Sequence, residues 1–425
     1  MENCRVYIET YGCTSNQADS DIMRGIIKRR FILSDDSEKS DIVVINSCGV
    51  VEHTERKILR RIDELKKKGK KVVLAGCLPR IADANGADSI VTPDNLELIG
   101  DVIGALIDGK RLNLDRRKKI DKSELRCIKE RLKENKIAIV SISDGCLGSC
   151  AYCATRFARG RLFSFKPENI VEEVKEAVSQ GFKEIQLTSQ DTAAYGFDGR
   201  SYNLADLLNE ISKIEGEFRV RVGMMNPNNA IEILDELVDA FKSEKIFKFI
   251  HIPVQSGDNG VIERMNRNYT VEEFIEIVSA FRREFDDITL STDIIVGFPG
   301  ETDEEFTESC RLIEKVKPDI VNITRFSPRK GTPASKMKDM PDRIKKERSR
   351  ILTELAMKIG EENNKNHTGK EYRVLVTKRG KKDTFLSRTD SYRPVILKGV
   401  EPGKFYHVRI VDFTFNYLRG KVVEK

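Results

Sequence analysis

Cys146-Leu147-Gly148-Ser149-Cys150-Ala151-Tyr152-Cys153 decides how this chain is read, because its Cys-x₃-Cys-x₂-Cys spacing puts three thiolates on one short loop. An iron–sulfur cube that only carries electrons takes four protein ligands. Three ligands leave one iron open to a substrate or cofactor. A zinc site would show a paired Cys-x₂-Cys or a histidine at ligand spacing, and His53, His251, His367 and His407 are scattered. The run is expected to hold a cluster with an open iron.

Working outward, residues 137–142 read as the strand that delivers this loop. Apolar runs at 184–188, 218–223, 247–252, 288–295 and 320–326 follow, with helical stretches between them, the pattern of parallel strands joined by crossovers. Six such units fit an open partial barrel, (β/α)6, better than the closed eight-stranded one. Polar or glycine-rich tips come after the strands at 188–192, 223–227, 251–257 and 297–302. Tips at that end of a barrel line its active site.

The first hundred residues repeat the alternation, with β-rich runs at 5–8, 41–45 and 71–75 and amphipathic stretches at 19–30 and 54–68. A cysteine follows each run: Cys13, Cys48 and Cys77. Binding groups gather beyond the carboxyl ends of the strands in parallel α/β sheets, so these thiols are expected to converge. Each has a glycine beside it, Gly12, Gly49 or Gly76, where backbone bends or approaches closely. A second three-cysteine cluster is the favoured reading, with buried structural cysteines as the alternative. Cys4, Cys127 and Cys310 lack such a context and read as incidental.

The 425 residues suffice for two or three domains. No apolar run reaches the roughly 18–20 residues needed to cross a bilayer, and Met1-Glu2-Asn3-Cys4-Arg5 lacks the order of a signal peptide, so a cytoplasmic protein is expected. Nine cysteines argue here for metal or catalytic thiolates over disulfides. The net charge of +6 is unevenly spread: residues 110–136 hold 12 Lys or Arg against 5 Asp or Glu, and residues 366–425 hold 14 against 6. The first segment reads most simply as a solvated helix face. In the second, short strands at 372–376, 384–386, 394–397, 406–410 and 417–423 suggest a small barrel of the oligonucleotide-binding kind, whose positive charge favours nucleic acid. Residues 341–364 between them read as an amphipathic helix with Ile344, Ile351, Leu355 and Ile359 on its apolar stripe.

The expected fold is therefore α/β: an N-terminal parallel α/β domain (1–125), a partial barrel (126–365) and a small, separable C-terminal β-barrel (366–425). Tyr11-Gly12-Cys13 with Asn16 and Asp19, Asn46-Ser47-Cys48, Gly76-Cys77, the Cys146/Cys150/Cys153 run and the terminal barrel together resemble the radical S-adenosylmethionine (SAM) methylthiotransferases. The resemblance covers nearly the whole chain in that family's three-domain order, where the last domain is the RNA-binding TRAM barrel. Its branches act on isopentenyladenosine in tRNA, on threonylcarbamoyladenosine in tRNA, or on an aspartate of a ribosomal protein. Thr10-Tyr11-Gly12-Cys13-Thr14-Ser15-Asn16, Leu187-Thr188-Ser189-Gln190-Asp191-Thr192-Ala193-Ala194-Tyr195-Gly196 and Gly223-Met224-Met225-Asn226-Pro227 are most similar to the archaeal and eukaryotic threonylcarbamoyladenosine branch. Eukaryotic members carry an apolar C-terminal tail, whereas this chain stops at Val422-Val423-Glu424-Lys425, so an archaeal-type protein without a membrane anchor is expected. The basic terminal domain also suits tRNA better than a protein substrate, whose docking needs no phosphate neutralisation.

The resemblance implies methylthiolation of C2 of N6-threonylcarbamoyladenosine in the tRNA anticodon loop, with two [4Fe-4S] clusters and SAM as cofactors. SAM would chelate the open iron held by Cys146, Cys150 and Cys153 and yield a 5′-deoxyadenosyl radical that takes hydrogen from C2, a carbon with no acidic proton. Cys13, Cys48 and Cys77 would hold the cluster that carries the sulfur. Tyr152, Ser189, Gln190, Gln255 and Asp293 are candidates for contacts to SAM. Arg156, Arg159 and Arg161 could hold a carboxylate through paired donors, with surface salt bridging as the equal alternative. No catalytic residue beyond the cluster ligands is implied. The partners would be tRNA and an electron donor such as a flavodoxin or ferredoxin, with no membrane and no obligate protein partner. The alternatives are methylthiolation of isopentenyladenosine or of a ribosomal-protein aspartate. A redox protein that binds RNA passively would need four ligands per cluster, and neither triad has an obvious fourth.

Overall fold

Ile42-Val43-Val44-Ile45 is apolar without alternation, the mark of a strand covered on both faces, and in the computed structural model strand β3 (Ile42–Ser47) is buried along its whole length. The structure describes residues 4–49, 52–83, 86–199 and 201–423. They form two units, one of residues 1–131, 141–173 and 327–336, the other of residues 132–140, 174–326 and 337–425.

In the first unit β1 (Arg5–Thr10), β2 (Ile32–Leu33), β3, β4 (Lys71–Gly76), β5 (Ser89–Val91) and β6 (Asn113–Leu114) make one parallel sheet in the order β2-β1-β3-β4-β5-β6. On one face Val6, Val44 and Val73 pack with Met23 and Ile27 of α1 (Thr14–Lys28) and with a helix at the far edge of the sheet. On the other, Val43, Ile45 and Val72 pack with Ile58, Ile62 and Leu65 of α2 (Glu52–Lys67). β2, β5 and β6 are two or three residues long, too short for a sequence pattern to mark them. Helix α1 starts five residues before the amphipathic stretch does. Its first turns bury Ser15, Asn16 and Asp19, and polar positions held by hydrogen bonds leave no apolar stripe to read.

The solvated-helix reading of residues 110–136 is overturned. Apart from β6 and a 3₁₀ segment, Lys122–Ile128, the segment is irregular, and Lys122, Lys129 and Arg131 are buried. Lys129 Nζ and Arg131 Nη2 both lie 2.5 Å from Glu173 Oε1. Charge pattern alone could not separate cations matched by distant carboxylates from cations facing water. Further along the same unit, β8 (Ser143–Asp144) and β9 (Phe163–Ser164) pair antiparallel and frame the Cys146 loop.

In the second unit β7 (Ile137–Ser141), β10 (Glu184–Thr188) and β11 (Arg219–Arg221) form one sheet, and β12 (Phe249–His251), β13 (Thr289–Val296) and β14 (Ile320–Arg325) form another. Bridges Val220 to Ile246 and Met224 to His251 join them into the six-stranded open barrel. The helix Asp342–Lys365 buries Lys345, Arg348, Leu352 and Ile359, a face rotated from the expected stripe, so that Ile351 is exposed. Lys345 pairs with Asp339 and Arg348 with Glu301; a hydropathy stripe cannot register two buried cations. The last five strands, β15 (Glu371–Arg379), β16 (Thr384–Thr389), β17 (Pro394–Lys398), β18 (Phe405–Phe413) and β19 (Leu418–Val422), close into a barrel in the order β15-β16-β17-β19-β18. Leu375, Tyr392 and Phe405 of this barrel share an apolar cluster with Phe247 and Phe249 beside β12.

Candidate functional site

The N-terminal thiols follow three neighbouring strands: Cys13 caps α1 just after β1, Cys48 follows β3 directly and Cys77 follows β4 directly. They converge. Burial drives the Cys77 thiol up to about 11; Arg159 opposes the rise, and Cys13, Cys48 and Asp19 add to it. Glycine is required at two of the adjoining turns. Gly12 has φ +143°, and a Cβ there would lie 3.0 Å from Cys48 Cβ; Gly76 has φ +89°, and a Cβ would meet Asn46 Oδ1 at 2.5 Å. Behind them Asn16 Nδ2 donates to Asn46 Oδ1 and to Ser47 O, both at 3.0 Å, which ties the Cys13 turn to the strand carrying Cys48.

In the second triad Gly148 N–H donates to Cys146 Sγ at 3.2 Å, and a Cβ on Gly148 would stand 3.4 Å from Cys146 Sγ and 3.6 Å from Cys150 Sγ. A side chain at 148 would therefore stand in van der Waals contact with both thiols. Burial, and after it Cys150, push the Cys153 thiol up. A one-turn helix, Thr155–Arg159, leads away from Cys153, and its Ala158, with Ala154 before it, packs in one apolar cluster with Cys77 and Ile81. The two cysteine loops therefore abut within one unit.

Between them lies a closed ring of charge. Lys122 Nζ reaches Asp19 Oδ1 at 2.8 Å and Asp144 Oδ2 at 2.9 Å, while Arg159 reaches Asp19 Oδ2 at 2.8 Å and Asp144 Oδ1 at 2.9 Å. Burial raises the carboxyl of Asp144, but Lys122 and Arg159 outweigh it and hold the group below the usual range. Arg159 thus fits neither of its two sequence readings, a holder of a ligand carboxylate or a surface salt bridge: both arms of its guanidinium are bound to buried protein carboxylates. Arg156 and Arg161 are exposed. None of the nine cysteines is in a disulfide. Among the described residues no three His, Cys, Asp or Glu side chains are gathered to hold a single metal ion; a cube takes each thiolate on a different iron and needs no such common point. Soft thiolates, glycine-lined space and a buried cation suit an iron–sulfur group.

In the second unit the strand tips are laced together. Thr192 Oγ1 donates to Met224 O at 2.9 Å, and the buried Asp191 carboxylate accepts from Asn226 N at 2.9 Å and Asn229 Nδ2 at 2.6 Å. Ser189 Oγ accepts from Asp191 N at 3.0 Å. Gln255 has φ +67°, costly for a residue with a side chain, and is held there by Gln255 N to Asp293 O and Ile295 N to Gln255 O. Asp293 Oδ1 lies 2.8 Å from His251 Nε2 and accepts from Asn322 Nδ2 at 2.8 Å. Burial raises the Asp293 carboxyl, and the bonds from His251 and Asn322 bring it below its ordinary value. Tyr152, Ser189 and Gln190 are half-buried. The reading of single residues missed the His251–Asp293–Asn322 group, although a carboxylate inside the apolar run 288–295 was a signal for it.

Three family models match: Radical SAM superfamily over residues 140–313, Uncharacterized protein family UPF0004 over 5–93 and TRAM domain over 365–423. The chain is 59% identical over 420 residues to the "Probable threonylcarbamoyladenosine tRNA methylthiotransferase" of Archaeoglobus fulgidus, with 98% of each chain covered. It belongs to the threonylcarbamoyladenosine tRNA methylthiotransferase family. The Homo sapiens protein of that name is 33% identical over 432 residues, covering 99% of this chain and 74% of the human one. Among solved structures, the radical S-adenosylmethionine methyltransferase TsrM of Kitasatospora setae superposes with a TM-score of 0.58 at 13% identity, over 79% of this chain and 74% of that one, a likeness of fold. Methylthiotransferases of this family are radical SAM enzymes, with an iron–sulfur cluster and SAM. Among the described residues no helix is long and apolar enough to cross a membrane.

Proposed function

We propose that this chain methylthiolates C2 of N6-threonylcarbamoyladenosine in the anticodon loop of tRNA, in the cytoplasm, with two [4Fe-4S] clusters, SAM and a flavodoxin- or ferredoxin-type electron donor. The observation that carries this reading is the pair of abutting cysteine triads in a chain 59% identical to a named family member. Cys146, Cys150 and Cys153 hold the cluster that binds SAM, and Cys13, Cys48 and Cys77 hold the second. When bound, these groups supply the radical that removes hydrogen from C2 and the sulfur that replaces it.

The chain's own residues position and shield. Asp144, whose Oδ1 accepts from Gly145 N at 3.2 Å, fixes the start of the Cys146 loop, and Gly148 keeps the approach to its thiols clear. Tyr152, Ser189, Gln190, Gln255 and Asp293 are the proposed contacts to SAM, and the exposed Arg156 and Arg161 would hold a carboxylate of SAM or of the threonyl group. Lysines of the terminal barrel neutralise tRNA phosphates.

The test is anaerobic turnover of the reconstituted full chain with SAM, a reductant and one of three substrates: tRNA bearing threonylcarbamoyladenosine, tRNA bearing isopentenyladenosine, or ribosomal protein. Mass spectrometry of the products should find the methylthio group on the first. Product on either of the others alone moves the assignment to that branch, and a chain that cleaves no SAM overturns it.

A further inference from the structure

The ring formed by Asp19, Lys122, Asp144 and Arg159 is complete: each of the four carboxylate oxygens accepts from Lys122 Nζ or from one arm of Arg159, and every side chain is at most 3% exposed. A buried ion pair recovers its desolvation cost only with such full hydrogen bonding. Packed apolar side chains would stabilise the same place at lower cost, so a role in position and field is the physical reason to look further. The ring joins three segments: α1, which Cys13 caps; the strap that carries Lys122; and both flanks of the Cys146 loop, through Asp144 and Arg159.

The two cations of the ring are not equivalent. Arg159 follows Ala158, which packs with Cys77, and its guanidinium is bonded to Asp19 of the helix that Cys13 caps. Lys122 Nζ, the ring's other cation, is bonded to the same two carboxylates but lies on the segment Lys122–Ile128, which carries none of the six triad cysteines.

We propose that Arg159 is a positioning residue for the sulfur-carrying site: Asp19 and Asp144 hold its guanidinium as a permanent buried cation beside the cluster of Cys13, Cys48 and Cys77, and that cation raises the cluster's reduction potential. The assignment rests on the two-cluster reading above. One-electron reduction adds a negative charge to the site, and a fixed cation in a poorly screened interior favours the more negative state.

The experiment uses the full chain with Cys146→Ala/Cys150→Ala/Cys153→Ala as parent, so that only the N-terminal cluster contributes, reconstituted and titrated with dithionite under EPR detection. Arg159→Gln/Asp144→Asn removes one cation and one anion and is expected to move the midpoint potential negative at the parent's iron content. Lys122→Met/Asp144→Asn removes the same charges but spares Arg159, and is expected to keep the parent's potential. Arg159→Lys keeps the charge and should retain the parent's iron and lie nearer its potential, which decides the matter if the glutamine variant sheds iron. Equal potentials in all variants, equal shifts in the two double variants, or a lysine variant as altered as the glutamine one would overturn the assignment. A parent that binds no iron would instead overturn the two-cluster reading on which it stands.

Discussion

Arg159 Nη2 donates to Asp19 Oδ2 at 2.8 Å across 140 residues of sequence. That bond, with its three companions in the ring, binds the N-terminal sheet to the loop of the second cysteine triad by charge, beside the apolar contact of Ala154 and Ala158 with Cys77 and Ile81. Breaking one member leaves an uncompensated buried charge. Asp19→Ala should therefore destabilise the first unit by about 3–5 kcal/mol, whereas Asp19→Asn/Lys122→Met, which removes a charge of each sign, should cost less. Denaturant unfolding of the anaerobic protein reads both. A loss below about 1 kcal/mol for the alanine variant, the range of exposed pairs, would show that the ring is solvated.

Two separate triads should partition the iron. The reconstituted chain is expected to carry about eight irons by the two-cube count, and Cys146→Ala/Cys150→Ala/Cys153→Ala to keep roughly half. The reciprocal Cys13→Ala/Cys48→Ala/Cys77→Ala chain should still cleave SAM reductively while forming no methylthio-adenosine. Colorimetric iron analysis and product chromatography check the two statements, and methylthio product from the second variant would make the N-terminal triad structural.

The terminal barrel is less separable than its sequence suggests. The Tyr392 ring packs tilted against Phe247 and Phe249, with ring centres 4.8 Å and 5.0 Å apart, and its hydroxyl donates to the fully buried Glu184 at 2.8 Å. Tyr392→Ala should cost about 3–5 kcal/mol, the scale of large aromatic truncations in a core. Removing residues 366–425 should lower the melting temperature of what remains, because Phe247 and Phe249 lose their cover. A truncated chain that melts unchanged by calorimetry would restore the separable view.

RNA affinity is better tested on the barrel's surface than by deleting it. Lys378, Lys381 and Lys382 are exposed around the β15–β16 turn and have no fold role that their loss would disturb. Each one that contacts a phosphate should contribute about 0.7–0.9 to the slope of log affinity against log salt. Their combined replacement by alanine is expected to weaken tRNA binding and flatten that slope by about 2 units, as measured by filter binding at several salt concentrations. An unchanged slope would move the phosphate contacts elsewhere.

His367 gives the second unit an acid sensitivity. Its Nδ1 is hydrogen-bonded to Tyr372 Oη at 2.5 Å, and burial, followed by the nearby Arg393 cation, lowers its pKa to about 4. An unfolded histidine titrates near 6.5, so protonation favours the unfolded chain: the stability is whole above about pH 6.5 and drains away as pH falls towards 4. His367→Gln should flatten that decline between pH 6.5 and 4.5 in urea titrations. A variant that loses stability over this interval as steeply as the native chain would rule His367 out as the cause.

What the sequence determined by itself is local and periodic. The β-rich run at 41–45 became strand β3, Glu184–Thr188 was bounded to the residue, and the five short terminal strands each formed. The placement of Cys13, Cys48 and Cys77 after strands was also legible, because residues at the ends of neighbouring parallel strands converge. What only the tertiary structure decided concerns charge and distance. Lys122, Lys129 and Arg131 look like solvated cations until Asp19, Asp144 and Glu173 are brought to them from elsewhere in the chain. Lys345 and Arg348 likewise turn the long helix away from its apolar stripe, and Arg159 passes from a ligand contact to the centre of a buried ring. Hydropathy reports the cost of burying a residue alone, and these residues are never buried alone; their partners lie up to 140 positions away, where no window along the sequence can see them.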